Sequence, residues 1–85
     1  MISKKITLPA GAFFHARPCA VIASAVKGLD CMALLFAGTK MADAASPISL
    51  MKLGFPPAGE VEIMTDGADE AAAMEAILNA MERAF

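Results

Sequence analysis

Eighty-five residues can enclose one hydrophobic core and not two, and the 58% that are apolar supply it even though 19 of them are alanine. Seven basic against nine acidic residues, a net charge of -2 and the absence of Trp and Tyr leave no electrostatic footprint for nucleic acid and few rings for base stacking. The longest apolar run, Cys31 to Ala37, is far short of the roughly 20 residues that cross a membrane, so a single domain spanning 1–85 with no membrane insertion is expected.

In chain order, Ile2, Ile6 and Leu8 share one parity and Ser3, Lys5 and Thr7 the other. This is a strand pattern, interrupted by Lys4 and ended by Pro9. Pro9, which interrupts the run, and His15 and Arg17, which follow it directly, also spoil any likeness of the first residues to a signal peptide. Two cysteines make no disulfide framework, although one Cys19–Cys31 bridge is left open, and a reducing, cytoplasmic setting is expected. From Ala16, residues Cys19, Ile22, Ala23 and Val26 recur at helical spacing, and Lys27-Gly28 closes the helix. Cys31 to Ala37 reads as a buried strand, Gly38-Thr39 as a two-residue hairpin loop, and Lys40 to Ala44 as the antiparallel return.

Ser46-Pro47 starts a short helix that stops at Gly54, because the hydroxyl can cap orphan N–H groups and proline suits the first helical position. Phe55-Pro56-Pro57-Ala58-Gly59 is a loop, after which Val61 and Ile63 alternate with Glu60 and Glu62 in a half-buried strand. Asp66-Gly67 turns the chain. Asp69 is then expected to cap a final helix whose Met74, Ile77, Leu78 and Met81 form the buried stripe, with Glu70 near its positive end. Strands that bunch in hairpins between helices favour an α+β sandwich with helices on one face.

The single histidine, His15, directly precedes the helix that begins Ala16-Arg17-Pro18. A first helical turn offers unsatisfied N–H groups and the positive end of the helix dipole, so an anion held at His15 would meet the backbone of Ala16 and Arg17 and the Arg17 guanidinium. Pro18 stiffens that turn without costing a ladder donor. A neutral imidazole nitrogen can attack phosphorus. His15, Cys19 and Cys31 offer only three metal ligands without CxxC spacing, and Cys19 lies on the apolar stripe, so no metal is assigned.

Phe14-His15-Ala16-Arg17-Pro18 resembles the active-site signature of the histidine-containing phosphocarrier (HPr) family of the bacterial sugar phosphotransferase system. Gly38-Thr39-Lys40 is similar to the family's hairpin, Ala42-Asp43-Ala44-Ala45-Ser46 to its regulatory-serine segment, and Met51-Lys52-Leu53-Gly54 to the end of its short helix. The resemblance implies an open-faced β-sandwich, a four-stranded antiparallel sheet with three helices on one face. It implies that Nδ1 of His15 accepts a phosphoryl group from enzyme I and passes it to a IIA protein or domain, with Arg17 as phosphate partner. It also implies a monomeric carrier without cofactor, not an autonomous catalyst, and makes Ser46 the residue that a serine kinase modifies in some members. The alternative is a serine-phosphorylated regulatory module without significant phosphotransfer; the presence of His15 and Arg17 argues for the carrier. Ala12-Phe13 stands where the family commonly has Asn-Gly, Pro47 where it has an aliphatic residue, and Ser24 and Ser49 where many relatives carry lysine. Docking is therefore expected on an apolar patch of Phe13, Pro47, Ile48 and Met51, with Arg17, Lys27 and Lys52 as its cations.

Overall fold

The alternation and helical spacings seen in the sequence resolve, in a computed structural model covering residues 1–85, into seven elements. These are β1 (Ile2–Thr7), α1 (Ala16–Val26), β2 (Met32–Ala37), β3 (Lys40–Asp43), α2 (Pro47–Met51), β4 (Glu60–Asp66) and α3 (Glu70–Ala84), with a single 3-10 turn at Pro57–Gly59. The four strands form one antiparallel sheet in the order β1-β4-β2-β3. Period-two alternation turns Ala33, Leu35 and Ala37 of β2 and Val61, Ile63 and Thr65 of β4 to one face, where they are buried beneath Ile22 of α1, Leu50 of α2 and Ile77 of α3. The expected open-faced sandwich, four antiparallel strands with three helices on one face, is the fold found.

Thr65 is the one buried polar residue of this layer, and its Oγ1 donates to the Glu70 carbonyl at 2.8 Å. That bond satisfies the hydroxyl and ties the end of β4 to the start of α3. The uncovered face of the sheet is mixed. Ser3, Lys5 and Glu62 mark its β1–β4 side, whereas Leu34 lies opposite Met64 and Phe36 opposite Met41 on the β2 side. The alternation therefore predicts the acidic residues of β4 correctly, but the outer face turns apolar at Met64.

Lys4 does interrupt the inner face of β1, lying opposite Ile63 on the helix side, but the strand is an edge strand, where its stem borders a depression with Ile2, Met74, Glu75 and Leu78 and its ammonium reaches water. Several expectations need correction. Asp69 does not cap α3 with its carboxylate. Its Oδ2 instead accepts from the Asp30 N–H at 2.6 Å, and its carbonyl accepts from Ala73 N–H at 2.8 Å. Glu70 serves that end instead, its Oε1 accepting from the Gly67 N–H at 3.1 Å. Both Glu70 oxygens also accept from the Met1 amino group at 3.0 Å, and these hydrogen bonds hold the carboxyl below its usual range.

Cys31 lies just outside β2, its N–H donating to Leu29 O at 3.1 Å, and β3 ends at Asp43 instead of Ala44. Ala44 N–H still donates to Ala33 O at 2.9 Å. Cys19 and Cys31 are both free thiols, pushed up in pKa by burial and, at Cys31, also by the carboxylates of Asp69, Asp30 and Glu70. No three His, Cys, Asp or Glu side chains gather closely enough to hold a metal ion, and no helix is long and apolar enough to cross a membrane.

Candidate functional site

The segment from Leu8 to Phe14 carries the chain from the sheet to α1, and its backbone bonds determine where His15 sits. Leu8 N–H continues the β1–β4 ladder by donating to Gly59 O at 2.8 Å, and Ala12 N–H closes a turn onto Pro9 O at 3.1 Å. Gly11, at φ +83°, supplies the left-handed residue that this turn needs. Phe14 is then driven into the core, where its ring meets Phe85 edge to face at 5.4 Å, while its N–H donates to Gly54 O at 2.8 Å. His15 emerges into solvent as the N-cap of α1, with extended backbone at φ -96° and ψ -176°.

Its carbonyl accepts from Cys19 N–H at 3.3 Å, but its ring makes no hydrogen bond within the chain. The N–H groups of Ala16 and Arg17 have no acceptor either, and the exposed Arg17 guanidinium has no carboxylate partner. Below them Pro18 and Cys19 are buried, which fixes the first turn against the core. Four of the groups named from the sequence thus lie on three consecutive residues at the exposed start of α1: an imidazole without a hydrogen-bond partner, two unpaired N–H donors and an unpaired cation. An anion is the ligand that such a point lacks.

The other expected residues are more dispersed. Ser46 is the N-cap of α2, half-buried, its Oγ accepting from Ser49 N–H at 3.2 Å. Around it, Asp43 Oδ1 accepts from Ala45 N–H at 2.9 Å and Ser49 Oγ accepts from Asp43 N–H at 3.0 Å, so the turn into α2 is closed by side chains. Ile48, Met51 and Phe13 are large apolar side chains left exposed, and Pro47 and Lys52 are exposed beside them in sequence. Lys27 is the C-cap of α1, about 18 Å along the helix from His15 at 1.5 Å per residue. It lines a groove with Ala20, Ser24 and Pro47, not the His15 site.

Phe55 was not legible as a site residue. The structure stacks it on Phe13 at 4.8 Å with an interplanar angle of 27° and leaves it 70% exposed. The one sequence signal that could have found it is a large aromatic residue in a Gly-Phe-Pro-Pro loop with no apolar neighbour to share a core face.

Residues 2–83 match the family "PTS HPr component phosphorylation site". The chain belongs to the HPr family of phosphocarrier proteins. The phosphocarrier protein HPr of Treponema pallidum (strain Nichols) is 31% identical to it over 85 residues, covering 100% of this chain and 97% of that one. Among solved structures, the histidine-containing phosphocarrier protein of Mycoplasma superposes with a TM-score of 0.88 at 23% identity, covering 96% of this chain and 93% of that one. HPr-C-His from Thermoanaerobacter tengcongensis superposes with a TM-score of 0.85 at 25% identity, covering 100% of this chain and 96% of that one. Membership of the HPr family makes the protein a carrier for the phosphotransferase system, not an autonomous catalyst.

Proposed function

We propose that this HPr-family protein accepts a phosphoryl group on Nδ1 of His15 from phosphorylated enzyme I, itself charged by phosphoenolpyruvate, and passes it to a sugar-specific IIA protein or domain. The observation that carries the reading is the exposed His15 ring, without a hydrogen-bond partner in the chain, on the same helix start as the unpartnered N–H groups of Ala16 and Arg17 and the unpaired Arg17 guanidinium. In transfer, the imidazole lone pair forms the N–P bond in line as the bond between phosphorus and the donor breaks, and the resulting phosphohistidine reverses the step toward the next acceptor. The N–H donors are fixed at the helix start and Arg17 lies on the same turn, so both are placed to stabilise the oxygens on which negative charge is spread. Metal or cofactor has no part in this chemistry. Docking falls to the exposed Phe13, Pro47, Ile48 and Met51, with Lys27 and Lys52 as outlying cations. Incubation with a competent enzyme I and phosphoenolpyruvate is expected to add one acid-labile, alkali-stable phosphoryl group, read by intact-protein mass spectrometry; an unmodified protein would overturn the carrier reading.

Ser46 is assigned first as a helix cap, since its hydroxyl is already engaged with Ser49 N–H and such a cap contributes about 1 kcal/mol. A dianion or carboxylate at that N-cap is favoured by the helix dipole, so a kinase acting there would alter docking and not folding. Ser46→Asp is expected to keep its Tm within about 4 °C of wild type, since Asp caps as well as Ser and even a full 1 kcal/mol shifts a domain of this size by only about 4–8 °C. Phosphoryl transfer from enzyme I is expected to slow several-fold at low salt, as the added charge repels an acidic partner. Stopped-flow transfer and thermal melts of the same preparation check both halves; an unfolded variant or an unchanged rate contradicts the account.

A further inference from the structure

Three rings are piled at the mouth of the site. Phe55 stacks on Phe13 with centroids 4.8 Å apart, and Phe13 lies 4.7 Å from the His15 imidazole at an interplanar angle of 46°. Both separations are those of favourable ring contacts. Because the imidazole makes no hydrogen bond within the chain, no polar group of the chain holds its orientation. An exposed side chain without such a partner exchanges among staggered rotamers in picoseconds to nanoseconds. The ring in contact with it is that of Phe13, on which Phe55 is stacked.

The pile is built by the backbone and is not an accident of two loose side chains. Phe14 N–H donates to Gly54 O at 2.8 Å, which fastens the residue after Phe13 to the residue before Phe55. Gly54 turns at φ +58°, and the neighbours Phe14 and Pro56 are buried, so each exposed ring is carried by an anchored segment. Yet Phe13 and Phe55 remain 40% and 70% exposed. Rings left so far in water contribute little to the core, so the contact of Phe55 with Phe13 and of Phe13 with His15 is what the arrangement achieves.

We propose that Phe13 and Phe55 are positioning residues for His15: Phe13 holds the imidazole in one rotamer and Phe55 holds Phe13. This rests on the carrier role of His15 put forward above. Without the pile, χ1 of His15 spreads over three wells and its ring torsion over two, so the productive fraction, and with it the transfer rate, falls roughly 3- to 6-fold. Affinity for the partner is a separate quantity and is not lowered by a rotamer change on an exposed ring.

The test uses two measurements on wild type, Phe55→Ala, Phe13→Ala and Phe55→Tyr. Three-bond scalar couplings give the χ1 populations of His15, and phosphorylation is followed with enzyme I and, separately, with phosphoramidate. In the second reaction the imidazole nitrogen attacks phosphorus while the donor P–N bond breaks, and ammonia leaves with a proton. Wild type and Phe55→Tyr are expected to show one dominant rotamer. Phe55→Ala and Phe13→Ala are expected to show averaged couplings and a kcat for enzyme I lower by roughly 3- to 6-fold, and Phe55→Ala, which lies outside the docking patch, a KM within about twofold of wild type. Phosphoramidate labelling should slow in parallel. Averaged couplings in wild type, unchanged couplings and rate in Phe55→Ala, or a change in Phe55→Ala confined to KM would overturn the proposal, the last by making Phe55 part of the docking surface. If wild type takes phosphate from neither donor, the carrier role fails, and the couplings by themselves decide whether the pile orients the ring.

Discussion

His15→Ala is expected to accept no phosphoryl group from enzyme I or from a small phosphoryl donor, while folding as well as wild type. The chain has one histidine, so no second imidazole can take over the nucleophile's part. Removing the ring leaves the donors at Ala16 and Arg17 in place, but an N–H group or a guanidinium can only stabilise charge and has no lone pair to form the bond to phosphorus. The fold is indifferent because the imidazole is exposed and caps nothing; its backbone carbonyl, which does accept from Cys19 N–H, is kept by alanine. A stability change within about 0.5 kcal/mol follows for a surface substitution of this kind. Mass spectrometry after incubation with either donor, beside a thermal melt, checks both statements, and residual labelling at another residue would relocate the site.

Gly67→Ala is expected to be the most damaging single-methyl change in the protein. Gly67 closes the turn between β4 and α3 at φ +144°, a conformation that side chains disfavour, and a Cβ there would lie 2.7 Å from Cys31 Cα and 2.9 Å from the Asp30 carbonyl oxygen. These are backbone atoms of a neighbouring segment and cannot swing aside as a flexible side chain would. Strained backbone and forced overpacking each cost on the order of 1–3 kcal/mol, so a loss of about 3 kcal/mol is expected, which lowers Tm by roughly 12–24 °C for a domain of this length. The same shift would disturb the Gly67 N–H bond to Glu70 and the Asp69 bond to Asp30 N–H. By contrast, a Cβ at Gly28 meets nothing within 4 Å. Gly28→Ala therefore suffers only the strain of its positive φ, and urea melts of the two variants side by side separate steric clash from backbone strain.

The local features were legible because each reports burial in its own few residues. The spacing of Cys19, Ile22, Ala23 and Val26 marks the inner stripe of α1, and Val61 and Ile63 mark the inner face of β4, whichever elements they meet. Ser46 and His15 were legible as helix-start positions from the residues that follow them. Features that depend on which distant segments meet were not legible. Whether Lys4 faces core or water depends on β1 being an edge strand, a matter of sheet order. Asp69 is an ordinary capping residue until the Asp30 N–H arrives from 39 residues away and takes its carboxylate. Phe55 gains its place at the site through contact with Phe13, made possible by the bond between Phe14 and Gly54, and no periodicity within the Phe55–Gly59 loop encodes that.

The strand order β1-β4-β2-β3 also dictates the order in which the molecule can assemble. The β2–β3 hairpin closes when Ala37 meets Lys40, whereas β1 pairs only once Thr7 has found Glu60 far along the chain. The difference in loop-closure entropy between those events is about 2.5 kcal/mol, so the first strand of the sequence is expected to be the last to join the sheet. Being at an edge, it is also the first to leave by local opening, and native-state hydrogen exchange should find its amides less protected than those of β2 and β4; equal protection would mean one indivisible unit. The segment that presents His15 hangs from this late strand. Opening of β1 therefore frees one end of that segment while the buried Phe14 and Cys19 hold the other, so the phosphoryl acceptor keeps its anchor when the edge strand frays.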